Sequence, residues 1–394
     1  MPALTTSSLP ELQKAIKEAG LDGWLLYDFR GINPIASGLL GIQGMVTRRY
    51  FAWIPREGVP VAITHGIEQG PWAAWPKTWA KEVYVSWRVL EAKLASLLSG
   101  KRIAMEYSPG DAVMYLDRIP AGVIEMVRAA GAEVASSGEL VTRFYAVWTP
   151  AQLESHKRSA EVIAKIARDA MQLAGERART KQPLDEFSLV QWIKNGFERA
   201  GLFTDHGPNV SVGPNAANPH YEPTARESRT IAEGDVVLID LWATEPQGVY
   251  ADQTWMGSVG APSNEVVKVW EAVRDARDTA ISMVRERVKA GTPLRGAEVD
   301  AATRKVVIAR GYGEYFSHRT GHSIDSHDLH GSGPNLDDFE TREERRLIPG
   351  VGFSIEPGVY LQGRFGVRSE VNAFLKEGEA LITPAEYQRD LFVV

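Results

Sequence analysis

The chain has 394 residues, 44% of them hydrophobic, with 44 basic and 50 acidic side chains for a net charge of -6, and it contains no cysteine. That length predicts two domains, and the charge balance offers neither nucleic acid nor an anionic membrane a basic field, so the expected partner is a small molecule. Without thiols there are no disulfides, thiolate zinc sites or cysteine nucleophiles, and any metal must be held by nitrogen and oxygen.

The opening Met-Pro-Ala-Leu-Thr-Thr-Ser-Ser lacks a basic segment followed by an apolar run. No stretch has the roughly 18 apolar residues of a membrane span, so a cytoplasmic address is expected. Leu12 to Gly20 has the spacing of an amphipathic helix stopped by glycine, followed by a strand at Gly23-Trp-Leu-Leu-Tyr-Asp28. Further strands are expected at Arg49–Ile54, Val61–Thr64, Val83–Trp87 and Arg102–Tyr107, with helices between the later ones, so this half is α/β. The tryptophans at 72, 75 and 79 are expected to pack in a core, with a lid over a partner's pocket as the sharper alternative.

A boundary falls near Tyr145-Ala-Val-Trp-Thr-Pro, where Thr149 is placed to cap a helix with Pro150 in its first turn. The segments Pro150–Ala178 and Leu184–Ala200 have helical spacing. From Val210 strands dominate, apart from a helical block over Asn264–Gly311. The expected domains are therefore 1–147 and 148–394. Helices then strands, repeated, hint at two similar halves, although no sequence self-identity accompanies them.

The chemistry concentrates in the second domain. Asp240 closes Val-Val-Leu-Ile-Asp, Asp252 lies in Tyr-Ala-Asp-Gln-Thr, and His322 in Thr-Gly-His-Ser-Ile. Glu356 follows Phe-Ser-Ile, and Glu370 lies in Val-Arg-Ser-Glu-Val. Taken singly, an acid at a strand end is more often solvated or structural. Four carboxylates converging at the ends of apolar runs demand positive charge, and with one imidazole they form an oxygen-rich set suited to Mn²⁺, Co²⁺ or a hydrolytic Zn²⁺ pair. Asp240 with Asp252, and Glu356 with Glu370, each fit an antiparallel hairpin that can point both acids to one centre.

These residues in this order resemble the pita-bread metallopeptidases, the family of methionine aminopeptidase, aminopeptidase P and prolidase. The resemblance runs through Gly213-Pro-Asn-Ala-Ala-Asn-Pro-His220-Tyr, the Asp240 strand, Asp252-Gln-Thr254, His318-Arg-Thr-Gly-His322, Glu356-Pro-Gly-Val-Tyr360 and Gly366-Val-Arg368-Ser-Glu370. The Pro-His-Tyr and Gly-Val-Arg-Ser-Glu wording looks most like the prolidase and aminopeptidase P branch. It implies an α/β, creatinase-type N-terminal domain followed by an α+β pita-bread domain with a curved antiparallel sheet and pseudo-twofold halves. It also implies two divalent metal ions, with Asp240 on one, Asp252 and Glu370 bridging, and His322 and Glu356 on the other. Glu356 is the implied proton acceptor, while His220 and His330 would hold the scissile carbonyl and its oxyanion. Arg368 would orient a carboxylate or meet substrate, and Thr254 would support a bridging acid.

The implied activity is that of an Xaa-Pro dipeptidase on small peptides, with a homodimer expected. The alternatives are aminopeptidase P activity on longer peptides, or lyase or phosphotriesterase chemistry on the same fold. A silent binding module is disfavoured because all five ligand positions are filled. Two spacings depart from the family: the aspartates lie twelve apart where eleven is usual, and His330 follows His322 by eight where seven is usual. The first departure falls in Thr244-Glu-Pro-Gln-Gly. The second makes His327 a competitor for His330, which the following Gly-Ser-Gly favours. His318 is expected to be structural or supporting, His65, His156 and His206 to be surface or satisfied core residues, and the charge run Glu340–Arg346 to be solvated.

Overall fold

The computed structural model describes residues 4–44 and 46–394, in two compact units that divide between Tyr145 and Ala146. In the first unit the order is α1 (Leu9–Glu18), β1 (Gly23–Asp28), α2 (Pro34–Leu40), β2 (Tyr50–Pro55), β3 (Val61–His65), β4 (Ala80–Tyr84), α3 (Trp87–Leu98), β5 (Arg102–Met105), α4 (Ala121–Ala129), β6 (Glu133–Ser136) and α5 (Gly138–Phe144). The strands form one mixed sheet in the order β4-β3-β2-β1-β5-β6. Central β1 is apolar along its length because both faces are covered: Trp24 and Leu26 enter one core, Leu25 and Tyr27 the other.

The strand expected at Val83–Trp87 lies earlier, at Ala80–Tyr84, because the Ser86 side chain caps α3 by accepting the Val89 N–H and draws Trp87 into the helix. Trp72, Trp75 and Trp79 meet edge to face, with Trp72 and Trp79 buried in the core. In the same unit Glu106 is fully buried, accepting from Trp24 Nε1 at 2.6 Å, Asn33 Nδ2 at 2.7 Å and Ser137 Oγ at 3.1 Å.

The second unit runs α6 (Pro150–Arg179), α7 (Glu186–Ala200), β7 (Asn209–Val212), β8 (Val236–Ala243), β9 (Ala251–Ser258), α8 (Asn264–Lys289), α9 (Gly296–Ala309), β10 (Ser323–Ile324), β11 (Gly352–Ile355), β12 (Gly358–Leu361), β13 (Phe365–Arg368), β14 (Val371–Lys376), β15 (Glu379–Thr383) and β16 (Phe392–Val393). Thr149 and Gln152 close a reciprocal capping box on α6, with Pro150 in the first turn, as the sequence predicts.

A long helix, a short helix and a set of strands occur twice. The repetition reaches the backbone: just before each short helix the chain makes an isolated antiparallel bridge, Asp185 with Thr230 and Arg295 with Arg346. The carbonyls of Leu184 and Leu294 correspondingly accept from Ile231 and Leu347. The sheets are ordered β16-β9-β8-β7 and β10-β11-β14-β15, with β12 and β13 paired apart. Val237, Ile239, Leu241 and Ala243 turn one face of β8 into the core made with α6 and α7. The opposite face is left for the acids.

Candidate metal centre

Side chains directly opposite in an antiparallel pair share a face. Asp240 pairs with Thr254 and Trp242 with Asp252, so these four residues project from one side of the β8–β9 hairpin. The loop 244–250 absorbs the longer spacing between the aspartates without disturbing that register.

The second acid pair is assembled differently. Ile355 pairs with Val371 across β11 and β14, and Glu356 and Glu370 flank this pairing on its open side. Between them the chain leaves the sheet to make the β12–β13 hairpin. A Cβ on Gly366 would stand 1.8 Å from the Ala216 carbonyl oxygen, so only glycine lets the hairpin lie against the turn that precedes His220.

His322 stands between the two acid pairs. Its Nδ1 lies 3.0 Å from the Ser323 carbonyl, which can only accept, so Nδ1 carries the proton. The Nε2 lone pair is thereby presented to Asp252 Oδ2 at 3.4 Å and Glu356 Oε1 at 3.5 Å. Potential ligand atoms of Asp252, His322 and Glu370 all lie within 4.8 Å of one another, and all three residues are buried. Asp240 joins through Thr254, whose Oγ1 is 3.2 Å from Asp240 Oδ1 and 2.8 Å from Glu370 Oε2. Arg368 donates from Nε to the same hydroxyl at 2.8 Å and pairs with Asp240 through Nη2.

The electrostatics are those of an acid cluster short of positive charge. Burial, then the neighbouring carboxylates, raises the pKa of Asp252 and Glu370 well above the ordinary range. Burial also pulls the His322 pKa down. The same desolvation would raise Glu356, yet the imidazole of His322, Arg368, His318 and Arg319 bring it below its usual value. Glu370 Oε1 is buried without a hydrogen-bond partner. Crowded hard oxygens, one imidazole nitrogen and an unsatisfied carboxylate oxygen fit divalent cations.

The described chain matches the model of metallopeptidase family M24 over residues 154–377. The chain belongs to that family. Among its relatives, the "Probable dipeptidase PepE" of Mycobacterium tuberculosis is 35% identical over 173 residues, covering 44% of this chain and 42% of the relative. The Xaa-Pro dipeptidase of Lactobacillus helveticus is 36% identical over 164 residues, covering 41% and 40%. The matched stretch thus spans less than half of either relative. The crystal structure of dipeptidase PepE from Mycobacterium ulcerans superposes with a TM-score of 0.74 at 24% identity, covering 98% of this chain and 97% of the other. This gives the fold as that of the pita-bread M24 enzymes, an α/β unit followed by a pseudo-twofold α+β unit.

The histidines outside this set are placed unequally. The His330 ring lies against that of His322, with centroids 4.3 Å apart, and His322 followed by desolvation holds its pKa down at about 4. The loop carrying it is folded around the Asp325 carboxylate, which accepts the N–H groups of His327 at 2.8 Å, Asp328 at 3.1 Å and Ser332 at 2.8 Å. A turn closed by Asp325 N–H on the Asp328 carbonyl takes up the extra residue where a strand bulge would otherwise be needed. His220 is exposed, and among the described residues no hydrogen bond, ion pair or ring contact joins its side chain to the acids.

Two features escape a sequence reading, and His318 is placed as a supporting residue. Ser354 Oγ accepts the His322 N–H at 2.9 Å and donates to Glu356 Oε1 at 3.0 Å, a role signalled only by a polar residue two positions before the acid. His318, whose pKa burial lowers, places Nδ1 2.7 Å from the Arg319 carbonyl and Nε2 2.8 Å from the Tyr360 hydroxyl. The charge run 340–346 is half buried, which corrects its expected solvation. Glu343 and Arg345 form a bidentate pair, and Arg345 donates to the Ser332 and Gly333 carbonyls at 2.7 Å each. The donors of Arg345 thus serve both the buried carboxylate and the backbone carbonyls beside it.

Among the described residues no helix is long and apolar enough to cross a membrane.

Proposed function

We propose that this chain hydrolyses the Xaa-Pro bond of dipeptides and releases free proline, using two divalent ions, Mn²⁺, Co²⁺ or Zn²⁺, held by Asp240, Asp252, His322, Glu356 and Glu370. The observation that carries the reading is the buried crowding of Asp252, His322 and Glu370 within 4.8 Å. The proline preference draws on the printed activity of the Lactobacillus helveticus relative.

When bound, the ions supply Lewis acidity that polarises the carbonyl and acidifies water. Asp240, Asp252, His322, Glu356 and Glu370 would hold them, while Thr254 and Arg368 hold Glu370 and Asp240 in line. Glu356, whose pKa the neighbouring charges hold below its usual value, accepts the proton of the attacking water. Water oxygen bonds to the carbonyl carbon, the C–N bond breaks, and the proton passes to the proline nitrogen. That delivery is required because a tertiary amide leaves as a secondary amine. His330, beside His322, and His220, on its turn, donate N–H groups to the carbonyl oxygen as it gains charge.

The proposal includes residues 1–147 as a creatinase-type domain, 148–394 as the catalytic domain, cytoplasmic residence and a homodimer, the last to be tested by light scattering. Turnover of Leu-Pro and Leu-Pro-Xaa after chelation and re-addition of each metal tests the activity. Metal-restored cleavage of Leu-Pro is expected. Cleavage of the tripeptide alone would assign an aminopeptidase P, and cleavage of neither would direct the search to lyase or phosphotriesterase substrates.

A further inference from the structure

One fully buried carboxylate outside the acid cluster is tied to it through the backbone. Asp300, on α9, accepts from the Thr320 amide at 3.0 Å and the Thr320 hydroxyl at 2.6 Å through Oδ1, and from the Asp338 amide at 3.1 Å through Oδ2. Arg304 balances its charge at 3.3 Å and spends its other donors on the carbonyls of Phe316 and His318. Asp300 and Arg304 therefore hold the segment that runs into His322 from both ends of their own ion pair.

Thr320 passes this restraint on. Its carbonyl accepts the Glu356 N–H at 2.7 Å, and two residues later the His322 carbonyl accepts the Ser354 N–H at 2.8 Å. Between them Gly321 is pressed so closely that a Cβ would lie 2.0 Å from the Ser354 carbonyl oxygen. The separation of His322 from Glu356 is thus set by backbone contacts with no slack, and the Asp300 side chain fixes Thr320 in place by both its amide and its hydroxyl.

We propose that Asp300 is a positioning residue that sets the His322–Glu356 half of the metal site through Thr320, leaving the Asp240 half independent of it. The inference rests on the dinuclear reading above. In Asp300→Asn the volume is kept, but the amide can accept on one side only and turns an NH₂ toward donors on the other. His322 and Glu356 then lose their fixed separation. Asp240 is held through Thr254 and Arg368 and keeps its own.

Isothermal titration of metal-free protein with Mn²⁺, read beside the electron paramagnetic resonance spectrum, separates the two halves. Wild type is expected to take two ions with a spin-coupled spectrum. Asp300→Asn should keep the first ion at wild-type affinity, lose roughly 10- to 100-fold on the second, and show a mononuclear spectrum at one equivalent. Glu186→Gln is the comparison. Glu186 is an equally buried carboxylate that accepts the amides of Val212 and Arg229, so it should lower stability and leave both affinities unchanged. Thr320→Val removes only the hydroxyl bond and should weaken the second ion by a smaller factor, which decides the matter if Asp300→Asn does not fold. Unchanged affinity for the second ion in the folded variants, equal weakening of both ions, or the same selective loss in Glu186→Gln would overturn the assignment. A wild-type protein taking fewer than two ions would reject the dinuclear reading itself, and this inference with it.

Discussion

Removing an acid from the cluster should make the metal-free protein more stable while abolishing its response to metal. Glu370→Gln is the sharpest case. Its Oε1 has no partner, and its ligand atom lies within 4.8 Å of those of Asp252 and His322. Two unit charges at that separation repel by roughly 3 kcal/mol at an effective dielectric of about 20. Part of this is already relieved by protonation, since burial and repulsion raise Asp252 and Glu370, so a net gain of about 1 to 2 kcal/mol is expected.

For a unit of this size that is a rise in Tm of roughly 2 to 8 °C in chelator. The sign with pH follows. Because the folded pKa values of Asp252 and Glu370 lie above the unfolded ones, the contribution of these two groups to the metal-free wild type is full below the ordinary carboxylate range and is lost as pH rises, and the variant should have a flatter profile. Added Mn²⁺ at 100 times its Kd should stabilise wild type by about 2.7 kcal/mol or more, and the variant far less. Differential scanning calorimetry in chelator and in Mn²⁺, at several pH values, measures both effects. A variant that melts below wild type in chelator, or that keeps the full metal-induced rise, would refute the reasoning.

Glu356→Gln should retain part of the metal while kcat falls by at least ~10², as expected when a general base is lost, measured in stopped assays on metal-loaded protein. His330→Ala should lower kcat by roughly 10² to 10³ with metal content intact, while His327→Ala should be mild; the reverse pattern would exchange their roles. Burial pushes the Glu106 carboxyl up to about 7 from 4.5. Its contribution to the first unit is therefore full below the unfolded value and falls by about 3 kcal/mol as pH rises through the folded one. Thermal unfolding between pH 5 and 8 should show this slope in wild type and lose it in Glu106→Gln.

The acid-bearing strands were legible because a carboxylate at the end of Val-Val-Leu-Ile stands out against its neighbours, and period-two alternation says which face it takes. Family and fold followed from the order of Asp240, Asp252, His322, Glu356 and Glu370. The change of sheet at Glu356 was not legible: Pro357-Gly358 looks like an ordinary turn, and only the pairing of Ile355 with Val371 reveals that the chain departs and returns. Glu343 and Arg345 were misjudged because charge alone does not tell a solvated run from one whose alternate members satisfy buried carbonyls. Asp300 gave no signal at all, since its partners lie 20 and 38 residues away.

That departure and return has an evolutionary consequence. Inserting one residue within 352–355 or 371–376 would turn every following side chain to the wrong face. The β12–β13 excursion lies outside this count, because Glu356 and Glu370 are set by the strands on either side of it. The hairpin is pinned where Gly366 meets Ala216 and where Gln362 Nε2 donates to the Ala217 carbonyl at 2.8 Å, so its turn beyond them, at Gly363 and Arg364, can grow or shrink without moving either acid. Length variation can accumulate on such an appendix while the acid pair is inherited unchanged.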